Sequence, residues 1–210
     1  MALEPLTPER RRQQTRDYLL QAASQVFAER GFHGASLDQV AAAAGFTKGA
    51  VYSNFKNKED LFLALLEAIQ EREMEALRET IASSDVPPEA RLPDFVNLIR
   101  AQTTDLGSNW DVLYQEFAIY AMRNPSAREK LAEFDAVTIE KVAELIGSER
   151  ARQGVEPLEN PAHVARIITA LFRGISVMRA LNPDDVDDAF LATTMSFLAA
   201  GLLPTKPSAP

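Results

Sequence analysis

An all-α fold, with a small amino-terminal unit and a larger helical body, is predicted by three features of this 210-residue chain. Apolar residues recur at helical spacing along nearly every long segment. No segment alternates apolar and polar residues as a half-buried strand does. Glycine, proline and asparagine mark the joints between segments, as at Gly31, Gly45, Asn124-Pro125 and Asn182-Pro183.

The elements follow in order. Thr7 and Pro8 suit an N-cap and a first helical position. The helix they open places Leu19, Leu20, Ala23, Val26 and Phe27 on one side and stops at Gly31. Ser36 caps a second, short helix whose apolar face is Leu37, Val40, Ala41 and Ala44. Gly45 tolerates the left-handed conformation that ends it, and Phe46 fills the corner. Thr47 caps a third helix that turns Val51 and Phe55 to the core. Its other face carries Lys48, Gly49, Tyr52, Ser53 and Asn54, small and hydrogen-bonding groups where an interior would place leucine. That is the layout of a helix-turn-helix, whose second helix enters the DNA major groove. An ordinary helix hairpin shares the periodicity but not the reason for that polar face.

A fourth helix is expected from about 57 to 82, ended by the break SSDVPP. Further helices are expected at about 88–103, 109–123, 125–153, 161–181 and 184–202. The expected organisation is a DNA-binding domain at 8–56 and a helical body at 57–203. Residues 1–7 and 204–210 are expected to be flexible tails. Within the body, 109–123 is apolar nearly all round (Trp110, Val112, Leu113, Tyr114, Phe117, Ile119, Tyr120, Met122), so it should be buried. Its aromatics, with Phe95, Phe134 and Phe172, either line a cavity or simply fill a core. Asp111, Gln115 and Glu116 are its polar groups; an acid beside an aromatic cavity favours a cationic ligand, but solvation or an ion pair explains it as well. The last two helices carry wide apolar stripes with interspersed alanine and glycine. These stripes close the core or pair with a second copy.

Composition narrows the classes. There is no cysteine, hence no disulfide or thiolate site. No apolar run reaches the roughly 20 residues of a membrane span, and the amino terminus lacks a signal-peptide stretch, which points to the cytosol. Net charge is −8, yet residues 1–60 hold eight Lys or Arg against seven Asp or Glu, so the acidic excess lies beyond them. A local basic face is what DNA binding needs. His33 and His163 are the only histidines, and no phosphate loop, metal spacing or nucleophile elbow appears, so no enzyme, metal or cofactor is expected. Asp184-Asp185 and Asp187-Asp188 are expected at the start of the last helix, favourably placed for its dipole.

The run from about 10 to 66 resembles the amino-terminal domain of the TetR (tetracycline-repressor-like) family of bacterial transcription regulators. The matching residues are Ala22, Ala23, Phe27, Gly31, Phe32, Val40, Ala41, Gly45, Phe46, Lys48, Gly49, Tyr52, Phe55, Lys58, Glu59 and Leu61. Asn54 stands where many relatives carry His. The resemblance implies a cytoplasmic homodimer that binds pseudo-palindromic operator DNA and releases it on binding a small molecule. It implies DNA contacts at Ser36, Thr47, Lys48, Gly49, Ala50, Tyr52, Ser53, Asn54 and Lys58. It implies an effector cavity among Phe95, Trp110, Tyr114, Phe117, Tyr120, Phe134 and Phe172. It implies pairing of the last two helices through Ile167, Leu171, Gly174, Met178, Phe190 and Phe197. A helical sequestering or protein-interaction module that has lost DNA binding is the alternative, favoured by the acidic pI of about 4.9.

Overall fold

A computed structural model describes residues 7–82 and 110–202. Its elements are α1 (Pro8–Gly34), α2 (Leu37–Ala44), α3 (Lys48–Asn54), α4 (Lys58–Ala82), α5 (Trp110–Arg123), α6 (Pro125–Arg152), α7 (Pro161–Leu181) and α8 (Asp188–Leu202). No strand occurs among the described residues. The helix expected at 88–103, Phe95 and both tails beyond Thr7 and Leu202 lie outside them.

Local chemistry accounts for the boundaries. Thr7 Oγ1 accepts the Arg10 N–H at 3.3 Å and opens α1. Gly31 interrupts α1 with φ 67° and ψ 173°, a conformation that is nearly glycine-only. Ser36 and Gln39 form a reciprocal capping box: the Ser36 hydroxyl accepts the Gln39 N–H at 3.3 Å, and the Gln39 side-chain Oε1 accepts the Ser36 N–H at 2.9 Å. Gly45, at φ 70°, ends α2 by donating to the Ala42 carbonyl while Phe46 donates to that of Ala41. That pair of bonds is the Schellman arrangement. Thr47 caps α3 by accepting the Ala50 N–H at 3.2 Å, and Asn57 caps α4 through the Asp60 N–H at 2.8 Å.

One boundary differs from expectation. The last helix begins at Asp188, not at 184. Asp187 is its cap, accepting the Phe190 N–H at 2.8 Å. Asp185 instead accepts from the Asn182 side-chain amide in the preceding turn. That bond, with the Asp185 N–H donating to the Asn182 carbonyl at 3.3 Å, holds a turn ahead of the helix.

The chain divides into two compact units, Met1–Ile69 with Leu113–Leu131, and Gln70–Val112 with Ala132–Pro210. In the first, α1, α2 and α3 contact one another. Leu19, Ala23, Val40, Val51 and Leu61 have no exposure, as do Phe27, Phe62 and Phe117. Four phenylalanines form its centre. Phe27–Phe62, Phe32–Phe62 and Phe32–Phe117 meet edge-on at 5.0, 5.1 and 4.9 Å. Each contributes about 1.5–3 kcal/mol by burial, and the edge-on geometry adds to that. Phe117 and Tyr120, expected to wall an effector cavity, are packed here against Phe32 instead. Nor is α5 buried all round: Ile119 and Met122 are exposed.

In the second unit Ile175, Val186 and Leu191 form a buried cluster with Phe190 and Ala192 against it. Arg173 pairs with Asp135 at 2.7 Å, and Lys141 with Glu71. Arg150 donates to the carbonyls of Glu156 and Leu202, which ties the ends of α6 and α8.

Candidate nucleic-acid interface

The caps that end α2 and begin α3 fix a tight turn between two short helices. Val51 and Phe55 anchor α3 inward, both buried. The same geometry turns Thr47, Lys48, Gly49, Tyr52 and Ser53 to solvent, with Tyr52 56% exposed. Ser36 is exposed, while Ala50 and Asn54 are half-buried. Seven of the nine residues expected to meet DNA therefore lie on α3 or at its Thr47 cap, and an eighth, Ser36, is the cap of α2.

The ninth, Lys58, is placed differently. Its ammonium donates to the carbonyls of Phe32, Ala35 and His33 at 2.7, 3.0 and 3.2 Å. It also lies 4.6 Å from the centre of the Phe32 ring. Burial pushes its pKa below the ordinary lysine value. Lys58 is thus a cap on the turn after Gly31, with its three donors engaged inside the protein.

Three α3 side chains also have partners that the sequence did not reveal. Lys48 forms a 2.5 Å ion pair with Asp38 on α2, and this bond raises the lysine pKa. Asn54 donates from its side-chain amide to the Ala50 carbonyl at 2.8 Å, folding back on its own helix. Ser53 does the same through its hydroxyl at 2.9 Å. Tyr52 is the large polar group left projecting outward.

The far end of α3 is held by α1. Arg12 and Arg16 reach the carbonyls of Ser53 and Asn54 at 3.4 and 3.5 Å, and Arg16 lies 4.5 Å over the Phe55 ring. With Glu9, Gln13 and Asn54 they line a cleft of about 290 Å³. Cations at a helix C-terminus complement its dipole. The basic run at 10–16 therefore has a structural reason besides its charge.

The other expected sites separate. Trp110 and Tyr114 are buried, whereas Phe134 and Phe172 are half-buried. Trp110 and Tyr114 fall in different units. The Trp110 indole N–H is buried without a partner. In the same unit, burial and the neighbouring Asp111 carboxylate push the Glu73 carboxyl up to about 7. On α7 and α8, Ile167, Leu171, Met178 and Phe197 are 66, 38, 52 and 78% exposed, and Gly174 is exposed too. Phe190 is not part of that stripe, since it packs on the Ile175 cluster. Among the described residues no helix is long and apolar enough to cross a membrane.

Comparison with known proteins agrees with this architecture. Residues 19–65 match the model described as bacterial regulatory proteins, tetR family, and residues 88–203 match that of the BetI-type transcriptional repressor, C-terminal. The HTH-type transcriptional regulator UidR of Escherichia coli strain K12 is 27% identical over 190 residues, 90% of each chain. The structure of Salmonella enterica GusR superposes with a TM-score of 0.69 at 25% identity, covering 97% of this chain and 98% of that one. FadR of Bacillus subtilis, solved in complex with stearoyl-CoA, gives 0.62 at 17% identity over 91% and 99% of the two chains, a likeness of fold alone. The capped helix-turn-helix, the all-α body and the two family matches together mean that this chain belongs to the TetR family of bacterial transcription regulators.

Proposed function

We propose that this regulator acts as a homodimeric repressor, released from a pseudo-palindromic operator by a small-molecule effector. The observation that carries the DNA-binding part is the outward face of α3, where Lys48, Gly49, Tyr52 and Ser53 stand exposed beside a capped first turn. Backbone N–H groups of that turn and the Tyr52 hydroxyl suit phosphates. Lys48 suits guanine acceptors once it leaves Asp38, and Gly49 permits close backbone approach. Asn54 reaches an adenine edge only by giving up its bond to Ala50. Ser36 and Thr47 act first as caps, and Lys58 acts through the turn it holds.

The exposed stripe Ile167, Leu171, Gly174, Met178 and Phe197 is the surface proposed to pair two copies. An apolar stripe of this kind, on two adjacent helices, marks an interaction site. Two half-sites one helical turn apart would then be read by two α3 helices. Residues 8–56 contribute the reading head, and 57–203 the pairing and effector functions, in the bacterial cytoplasm. Half-buried Phe134 and Phe172, with Trp110, are the aromatic candidates for an effector wall. FadR, which shares this fold, was solved in complex with stearoyl-CoA. The Lys48–Asp38 pair favours the second reading, a helical module that no longer binds DNA. A gel-shift titration with the DNA upstream of the protein's own gene decides: a saturable shift that survives competitor DNA supports the operator reading, and its absence supports the alternative.

A further inference from the structure

The stretch that follows the Gly31 kink, from Phe32 to Ala35, is gripped from two sides. On one side Lys58 donates to three of its carbonyls. On the other, Glu116 of α5 accepts the Phe32 N–H through Oε2 at 2.8 Å. The two residues lie 84 positions apart. Gly31 is shaped to this contact. A Cβ added there would stand 2.8 Å from Oε2 and 3.1 Å from Oε1 of Glu116. Its φ of 67° already disfavours a side chain. The carboxylate therefore lies directly on the glycine, in space that only a missing side chain leaves open. The Phe32 ring beneath it packs on Phe117, one residue along α5. Ser36, which opens α2 and with it the helix-turn-helix, follows four residues after Phe32. Meanwhile α5 begins in the other unit: Trp110, Asp111 and Val112 belong to the second, and Leu113 onward to the first.

We propose that Glu116 is a positioning residue, and that α5 acts on the helix-turn-helix through its carboxylate. A displacement of α5 along or about its axis moves this acceptor, and the Phe32 N–H must follow or lose its bond. Either outcome shifts the turn that presents α2 and α3. The inference rests on the DNA-binding reading above and specifies how that reading is regulated. Linkage makes the coupling reciprocal, so DNA binding must also be felt along α5. Trp110, the only tryptophan, sits six residues before Glu116, about 9 Å along the helix. It reports on that end directly.

The test uses the whole protein and two duplexes, one from upstream of its gene and one unrelated, with binding followed by anisotropy of a labelled strand. Trp110 emission is recorded separately with unlabelled duplex. Wild type should bind and change its Trp110 emission. Glu116→Ala should bind roughly tenfold more weakly, from loss of one charge-assisted bond, and show no Trp110 change even at saturation. Glu116→Gln keeps an acceptor oxygen and should restore both. If Glu116→Ala does not fold, Glu116→Asp, which withdraws the carboxylate by one methylene, should show the same uncoupling in weaker form. Binding with unchanged Trp110 emission in wild type overturns this inference alone, as does an undiminished change in Glu116→Ala or Glu116→Asp, or failure of Glu116→Gln to rescue. Absence of binding to either duplex overturns the DNA-binding reading and this inference with it.

Discussion

Replacing Lys58 with methionine keeps an apolar stem of similar reach and removes the terminal ammonium with its charge. Three carbonyls lose their donor: those of Phe32, Ala35 and His33, at 2.7, 3.0 and 3.2 Å. A hydrogen bond to a charged group contributes about 1.5–3 kcal/mol. Three to one ammonium are not additive, and His33 is exposed, so water can serve its carbonyl. Burial already disfavours the charged lysine, as its lowered pKa shows, and that cost disappears with the charge. The net loss is about 2–3 kcal/mol. For a chain of this size that lowers Tm by roughly 4–12 °C. Urea titration of Lys58→Met against wild type measures the first quantity, and a thermal scan the second. A parallel salt series of DNA affinities separates this role from a phosphate contact. Loss of one phosphate contact lowers the salt slope by about 0.9, whereas loss of a turn clamp weakens binding and leaves the slope unchanged. Unaltered stability together with a reduced slope refutes the clamp.

Three further outcomes follow from the geometry. Asp38→Asn frees Lys48 and should tighten binding to unrelated duplex severalfold at low salt, read by anisotropy; no change means that the pair does not restrain the lysine. Phe197→Glu places a charge in the exposed α7–α8 stripe and should give a monomer by sedimentation equilibrium, so a folded dimer in this variant removes that stripe as the interface. Glu73 has a folded-state pKa raised to about 7. Its protonation therefore favours the native state fully below the unfolded value near 4.5, and that contribution is lost as pH rises through 7. Glu73→Gln should remove about 1–3 kcal/mol of this pH dependence, measured by urea titration at pH 5 and pH 8; an unchanged slope refutes the shift.

The helix-turn-helix was legible because its determinants are local. Ser36 with Gln39, Gly45 with Ala41 and Ala42, and Thr47 with Ala50 all act within five residues, and each residue type states its own role. Glu116 and Lys58 were not legible as turn clamps. Their partners are backbone atoms 84 and 23–26 residues away, and backbone atoms leave no mark in a sequence. Lys58 in particular reads as a surface cation next to a DNA-binding helix. Periodicity marks Phe117 as inward-facing but cannot say whether it lines a cavity or fills a core; in the structure it lies among Phe32, Phe62 and Tyr120. The apolar count of α5 overstated its burial for a related reason: Ile119 and Met122 have the chemistry of interior residues and the position of surface ones.

In the proposed function Lys48 meets DNA with an anion already in hand, the Asp38 carboxylate. Trading Asp38 for a backbone phosphate exchanges one negative oxygen for another, so arbitrary sequence gains little by the trade. A base edge that supplies two acceptors in the right plane offers something that a single carboxylate does not. The pair therefore levels attraction to the bulk of the genome more than attraction to a matching site, and specificity is a difference between those two. On that proposal, for a chain of net charge −8, the same device should shorten each stay on unrelated DNA. The time to locate an operator is then set by many brief encounters rather than a few long ones.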